Sequence, residues 1–366
     1  MKNIKRIVFK FGTNILRNEQ GEISLSHLYS FIEDISYLYR EGKEVLIVTS
    51  GAIGLGAKKL NIVADTTVNK QAAASVGQPM LMGIWQDGFE KYGIMSAQIL
   101  LVEDDFSTRH KYLSLRSTLH KLLENGVIPI INQNDTISSS ECERASFSDN
   151  DKLASIVASK LDADMLVMVS DIDGLYDKNP KENPDAKLIK TVDKITPEIE
   201  QMASGATSGG RGGMITKLTA AKVATSSGVI AKIVNGKVPN IIKKIFNEDI
   251  GTTFLPVESL SHKKRWIAYA TNIMGEIKVN DGAKNAILNN QKSLLSIGII
   301  DTKGKFEKGE IVSIVGEDDV EFARGITNYS CSDIEKIKGQ HSDNIEKILG
   351  YKYDDDIVIK DNLVIV

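Results

Sequence analysis

The chain has 366 residues, of which 42% are hydrophobic and 25% charged, and its formal net charge is −3. That length accommodates two or three domains, and the composition excludes a disordered or fibrous chain. The near-neutral charge supplies no global basic field for nucleic acid or an anionic membrane. Two cysteines, Cys142 and Cys331, have no neighbours at metal-ligand spacing, so a disulfide framework and a structural zinc site are not expected. The histidines at 27, 110, 120, 262 and 341 show no metal-like spacing either. Only Ile7, Val8 and Phe9 form an apolar run before Lys10, too short for a signal peptide. The longest apolar runs, such as residues 165–169, fall far below a membrane span. These features lead to the expectation of a soluble, cytoplasmic protein with no membrane partner.

Taken in chain order, residues 4–10 predict a strand, ending at Lys10-Phe11-Gly12-Thr13-Asn14. A lysine at a strand end followed by a glycine can bring a cation and a bare backbone to a phosphate, or it can be an ordinary solvated turn. Residues 24–40 predict an amphipathic helix, with apolar residues at 28, 31, 32, 35 and 38. Residues 44–49 predict a buried strand that runs into Ser50-Gly51-Ala52-Ile53-Gly54-Leu55-Gly56. That glycine-rich turn opens a helix and suits either an anion or tight strand–helix packing. Its glycine spacing is not a dinucleotide fingerprint.

A helix is predicted over 69–92, a strand over 94–101, a helix over 111–125 and a strand over 127–132. The last strand ends in Asn132-Gln133-Asn134-Asp135, polar groups that can recognise an amino group and a carboxylate together, or simply build a turn. Ser148-Asp149-Asn150-Asp151 opens a helix predicted over 149–161. Ser148 and Asp151 have the spacing of a capping box. The alternative gives Asn150 to a ligand and Asp151 to nearby lysines. A strand at 165–170 leads into Ser170-Asp171-Ile172-Asp173-Gly174, where either aspartate could meet a ribose or a metal, or form a turn. Gly209-Gly210-Arg211-Gly212-Gly213-Met214 enters a helix over 214–227 that carries Lys217 in its first turn, and a strand follows at 229–234. Four glycines in five positions make this the most specific of the motifs, although it is not a Walker A loop.

The alternation implies βαβ units and a mostly parallel sheet sandwiched by helices, with ligands at the carboxyl ends of the strands. The pattern changes after residue 255. We expect a catalytic domain over 1–258, a linker over 259–274 and a small, mainly β domain over 275–366. The tail's last two strands, 357–360 and 363–366, are expected to form a hairpin around Asp361-Asn362. Two separated lysines, anion-ready loops at strand ends and a carboxylate between them suggest phosphoryl transfer, which needs chiefly positioning and charge stabilisation.

The motifs quoted above, in this order and spacing, resemble the glutamate 5-kinases of the amino acid kinase family. Arg324-Gly325-Ile326-Thr327-Asn328-Tyr329-Ser330 and Ile348-Leu349-Gly350-Tyr351 resemble segments of the PUA domain that bacterial members carry. The resemblance covers essentially the whole chain. It implies an amino acid kinase fold with a PUA-like tail, and transfer of a phosphoryl group from ATP to the side chain of L-glutamate as the first step of proline biosynthesis. By the same resemblance, Lys10 and Lys217 would stabilise the transferred group and Asp151 would orient both lysines. Ser50, Gly51, Ala52, Asn134, Asp135 and Asn150 would bind glutamate. Lys10, Gly12, Ser170, Asp171, Arg211, Gly212, Gly213, Met214 and Lys217 would bind ATP. Backbone N–H groups at Gly12 and Gly51 would help to offset phosphate charge. Mg²⁺ would be held mainly by ATP rather than by protein side chains. The family also implies inhibition by proline and a dimer or tetramer.

Three departures bear on the details. The segment 136–148 is longer than the family pattern, Gln133 stands where a glutamate is usual, and Ser170 replaces a common threonine but keeps the hydroxyl. Rival readings are another amino acid kinase, acting on aspartate, N-acetylglutamate or isopentenyl phosphate, and an RNA-binding PUA protein. The tail from 275 on has 12 Lys and Arg against 17 Asp and Glu, a net −5 that disfavours nucleic acid.

Overall fold

In the computed structural model the described residues are 4–18, 22–106, 109–137, 150–180, 182–204, 213–257, 264, 267–268 and 273–366. They form two compact units, Met1–Ser259 and Leu260–Val366.

The first unit runs β1 (Arg6–Phe11), α1 (Leu25–Arg40), β2 (Glu44–Val48), α2 (Ala52–Leu60), α3 (Thr67–Glu90), β3 (Ser96–Leu101), α4 (Arg109–Glu124) and β4 (Ile128–Gln133). It continues with α5 (Asn150–Lys160), β5 (Met165–Ser170), β6 (Thr191–Val192), α6 (Pro197–Ser204), α7 (Met214–Thr225), β7 (Ile230–Asn235), α8 (Ile241–Asn247) and β8 (Thr252–Phe254). The strands make one sheet in the order β3-β4-β2-β1-β5-β7-β8-β6. The pairs β3–β4, β4–β2, β2–β1, β1–β5 and β5–β7 are parallel, while β8 runs antiparallel to β7. The short elements β6, α6, α8 and β8 are additions to the predicted set. Their runs of two to eight residues are too brief to show a period.

Alternation along each strand divides the core into two layers. Ile7, Phe9 and Phe11 of β1, with Val45 and Ile47 of β2, pack against α1, α3 and α8. Val8, Leu46 and Val48 point the other way, toward α5 and α7. Such two-sided burial explains why β5 is buried at all six positions. Each fully buried Val, Ile or Phe contributes about 1.5–3 kcal/mol. Helix α1 begins where Ser24 accepts the His27 N–H at 3.4 Å, and α3 where Thr66 accepts the Asn69 N–H at 3.2 Å. Helices α2 and α3 meet backbone to backbone. A Cβ on Gly56 would lie 1.7 Å from the Ala73 carbonyl oxygen, and one on Gly77 would lie 1.8 Å from that of Ala52.

The second unit has β9 (Gly275–Val279), α9 (Asp281–Asn290), β10 (Leu294–Leu295), β11 (Ile299–Gly304), β12 (Ile311–Val315), β13 (Glu321–Ile326), α10 (Cys331–Ile337), α11 (Ile345–Leu349), β14 (Asp356–Val358) and β15 (Leu363–Ile365). Five strands form a sheet in the order β11-β9-β12-β13-β15, and β10 pairs with β14. Ile277, Ile314, Tyr329 and Ile357 lie at the centre of its core. Within the region expected as a linker, Ile267 and Ala268 are buried with Val364.

The expected hairpin around Asp361-Asn362 is not formed. Strand β14 pairs with β10, β15 pairs with β13, and a 3₁₀ turn over Lys360–Asn362 carries the chain between them. Neither Asp361 nor Asn362 has positive φ, which a two-residue type I′ turn requires at both positions. The residues after β14 instead lead the chain to the edge of the larger sheet.

Candidate active site

The strand order sets β4, β2, β1 and β5 side by side, and all four run in the same direction. Their carboxyl ends therefore bring Asn132–Asp135, Thr49–Ala52, Lys10–Gly12 and Ser170–Asp171 to one edge of the sheet. The amino ends of α2, α5 and α7 begin at Ala52, Asn150 and Met214.

Lys10 shares its strand face with Val8, so its side chain points toward α5 and α7. There its Nζ lies 2.6 Å from Asp151 Oδ1. Lys217, in the first turn of α7, lies 3.2 Å from Oδ2 of the same carboxylate. The Thr216 hydroxyl sits 3.0 Å from Oδ2 and 2.9 Å from the Gly213 carbonyl oxygen. Asp151 is fully buried, and Lys10 and Lys217 are 5% and 6% exposed. Burial pushes the Asp151 carboxyl pKa up. The charges of Lys10 and Lys217, with hydrogen bonds from Lys10 and Thr216, outweigh that and hold it below the ordinary carboxylate value. Of the two expectations for Asp151, the structure shows the pairing with lysines, since its carboxylate bridges two of them. Ser148, the cap in that expectation, lies outside the described residues, as do Arg211 and Gly212.

A second group is built from amides. Asn150 Nδ2 lies 2.8 Å from the Thr49 carbonyl oxygen, 2.8 Å from Ser50 Oγ and 3.1 Å from Asn132 Oδ1. Asn132 also accepts the Gln133 N–H at 2.9 Å and donates to Gln78 Oε1 at 2.8 Å. Gly51 is the residue before α2 and has φ +112°, a conformation that calls for glycine. Ala52 begins the helix and is buried.

Asn134 and Asp135 follow β4. The Asn134 N–H donates to the Leu101 carbonyl at 2.9 Å. Asp135 is half-buried, and burial raises its pKa to about 6. Among the described residues, neither side chain is joined by a hydrogen bond to the Asn150 group.

On the β5 side, Ser170 Oγ donates to Asp171 Oδ1 at 3.2 Å, and Asn14 Nδ2 donates to Asp171 Oδ2 at 3.2 Å. Partial burial pushes the Asp171 pKa up. Hydrogen bonds from Asn14, the backbone and Ser170, together with the Lys217 charge, bring it below the usual range. Asp173 is held structurally, by Asn235 at 2.8 Å and Tyr176 at 3.0 Å. Gly213 precedes α7 in an extended conformation, and Met214 at its start is buried.

Gly12 departs from expectation. Its N–H donates to the Val169 carbonyl at 3.2 Å and is not free for a phosphate. Its contribution is the space beside Lys10, whose Nζ would lie 3.9 Å from a Cβ there.

Thr216, Asn14 and Gln78 were not singled out from the sequence. Thr216 could have been found from its place beside Lys217 in the first turn of α7. Gln78 had only the weak signal of a polar residue within an apolar helical pattern. Chemically, the edge offers two lysine ammoniums fixed on one buried carboxylate. A row of amides and a partly buried carboxylate lie beyond Gly51, toward β4. The first suits a transferring phosphoryl group, and the second suits a small zwitterion.

The model of the amino acid kinase family matches residues 5–235, and that of the PUA domain matches residues 275–349. A glutamate 5-kinase of Thermoanaerobacter sp. (strain X514) is 44% identical, over 99% of this chain and 98% of that protein. The glutamate 5-kinase of Geobacter sulfurreducens is 43% identical, over 100% of this chain and 99% of that one. A solved isopentenyl phosphate kinase, 19% identical, superposes with a TM-score of 0.48 over 68% of this chain and 99% of that one. The chain belongs to the amino acid kinase family, among the glutamate 5-kinases with a carboxy-terminal PUA domain.

Proposed function

We propose that this chain transfers the γ-phosphoryl group of ATP to the side-chain carboxylate of L-glutamate, giving ADP and L-glutamate 5-phosphate. The observation that carries the reading is the buried bridge of Lys10 and Lys217 on Asp151. A glutamate side-chain oxygen attacks the γ-phosphorus, and the bond from that phosphorus to the bridging oxygen of ADP breaks. The attacking carboxylate is already ionised at pH 7, so no general base is needed. What must be overcome is repulsion between two anions. Lys10 and Lys217 sit where charge on the transferring group can be stabilised in a site poor in water. Asp151 keeps both ammoniums in place before substrate arrives. Mg²⁺ would enter as part of the MgATP substrate and would offset phosphate charge there.

In this reading Ser50, Gly51, Ala52, Asn134, Asp135 and Asn150 receive glutamate. Gly12, Ser170, Asp171, Gly213 and Met214, with Arg211 and Gly212, receive ATP. Asp135, ionised above about pH 6, faces the substrate ammonium. The reaction would open proline biosynthesis in the cytoplasm, carried out by a dimer or tetramer and inhibited by proline at the glutamate site. No helix among the described residues is long and apolar enough to cross a membrane.

Trapping the product tests the reading. Purified protein with MgATP, L-glutamate and hydroxylamine should yield γ-glutamyl hydroxamate. L-aspartate, N-acetyl-L-glutamate and isopentenyl phosphate should be poor phosphoryl acceptors, measured as ADP release. Release of ADP with one of these acceptors but not with glutamate would assign the chain to another amino acid kinase activity.

A further inference from the structure

Helix α3 meets the amides of the site through a buried glutamine. Gln78, 8% exposed, accepts from Asn132 Nδ2 at 2.8 Å and donates to Gln98 Oε1 of β3 at 3.1 Å. Asn132, also buried, accepts from Asn150 Nδ2 at 3.1 Å. The result is a chain of four amides in which each NH₂ group faces the oxygen of the next.

Two backbone groups fix the polarity of that chain. The Gln133 N–H can only donate, and it meets Asn132 Oδ1 at 2.9 Å. The Thr49 carbonyl can only accept, and it meets Asn150 Nδ2 at 2.8 Å. Turning either amide around would set oxygen against oxygen or donor against donor. The orientation of Asn150 is therefore set, and its Oδ1 is left over. That atom is shielded from solvent and has no hydrogen-bond partner among the described residues. A buried acceptor without a partner is costly and marks a place where a donor is expected.

We infer that Gln78, acting through Asn132, is a positioning residue that holds Asn150 Oδ1 as an acceptor for the α-ammonium group of the substrate. This rests on the proposed glutamate reading, since at neutral pH that ammonium is the only N–H donor glutamate has. The γ-carboxylate and ATP do not depend on this amide chain.

The test uses the full-length protein and two substitutions. Gln78→Met keeps the bulk and removes both hydrogen bonds. Gln78→Glu keeps the oxygen that accepts from Asn132, while the Gln98 amide can turn to donate. Steady-state hydroxamate assays should give a KM for glutamate raised about tenfold in Gln78→Met, the size of one weakened hydrogen bond to a charged group. The KM for MgATP should not change, and kcat should stay within about threefold. Gln78→Glu should recover most of the rise. Glutarate, which lacks the ammonium, should inhibit the wild type and Gln78→Met with the same constant. If Gln78→Met does not fold, Gln98→Met, one link further out on β3, should raise the glutamate KM in the same direction by about threefold. An unchanged glutamate KM in the folded variants, or an equal loss for glutarate and MgATP, would overturn the inference. Absence of any hydroxamate from the wild type would instead refute the underlying reaction.

Discussion

Asp151 answers to two demands that a lone carboxylate could not meet. It is fully buried, and it is the shared counter-ion of two lysines from different elements. Removing it would leave both ammoniums buried without that partner, a far larger loss than removing a surface ion pair. Asp135 makes a separate statement about pH. Its pKa is raised to about 6, so it is neutral below that value and charged above it. If it pairs with the substrate ammonium, the KM for glutamate should rise about tenfold between pH 7 and pH 5, following the titration of one group. The glutamate side chain itself stays largely ionised over that range. Asp135→Asn should have a high KM that does not vary with pH over this interval, and a wild-type KM flat from pH 7 to 5 would remove Asp135 from substrate binding. At this scale the sequence displays Lys10, Asn150 and Asp151 but not their burial. Ser148 and Asp151 fit a capping box as well as they fit a site, because local spacing carries no information on what a carboxylate meets across the fold.

Among the elements, β1 was the most readable. Alternation places Lys10 on the Val8 face, so the period of the strand alone directs the lysine to the α5 and α7 side. Helix α3 was legible in extent but not in purpose. Its polar Gln78 reads as solvated until Asn132 and Gln98 are brought beside it by the sheet order. The contact of α2 with α3 was also hidden, because glycines in a helix read as weak points rather than as a seam. That seam sets both the Gly51 turn and Gln78. Gly77→Ala would drive a methyl group into the Ala52 carbonyl. It should cost about 3 kcal/mol or more in urea unfolding, as overpacking against rigid backbone does. The folded remainder should also show a raised KM for glutamate. Stability within about 0.5 kcal/mol of wild type would mean that the two helices separate easily. The misread hairpin at Asp361-Asn362 has a similar origin. Turn-forming residues mark a change of direction but not which sheet the chain joins next.

Over the whole molecule, the parallel alternation and the change of pattern after residue 255 were plain in the sequence, since both are periodic features. The order β4-β2-β1-β5 was not, because no local signal states which strands become neighbours. Yet that order is what turns four modest motifs, spread over more than a hundred residues, into one site. The tail from residue 275 on, with its net charge of −5, should not bind single-stranded RNA tighter than about 100 μM at physiological salt, as fluorescence anisotropy would measure. Tighter, salt-dependent binding would give the tail a nucleic-acid role. If Asp151 holds Lys10 and Lys217 for phosphoryl transfer, turnover depends on all three residues. The most direct measurement is kcat for γ-glutamyl hydroxamate formation by wild type, Lys10→Ala, Lys217→Ala and Asp151→Asn, each checked for a native circular dichroism spectrum. Turnover should fall about 10²-fold or more in each variant, the size of a lost electrostatic stabiliser. Near-normal turnover in any folded one of the three would contradict that dependence.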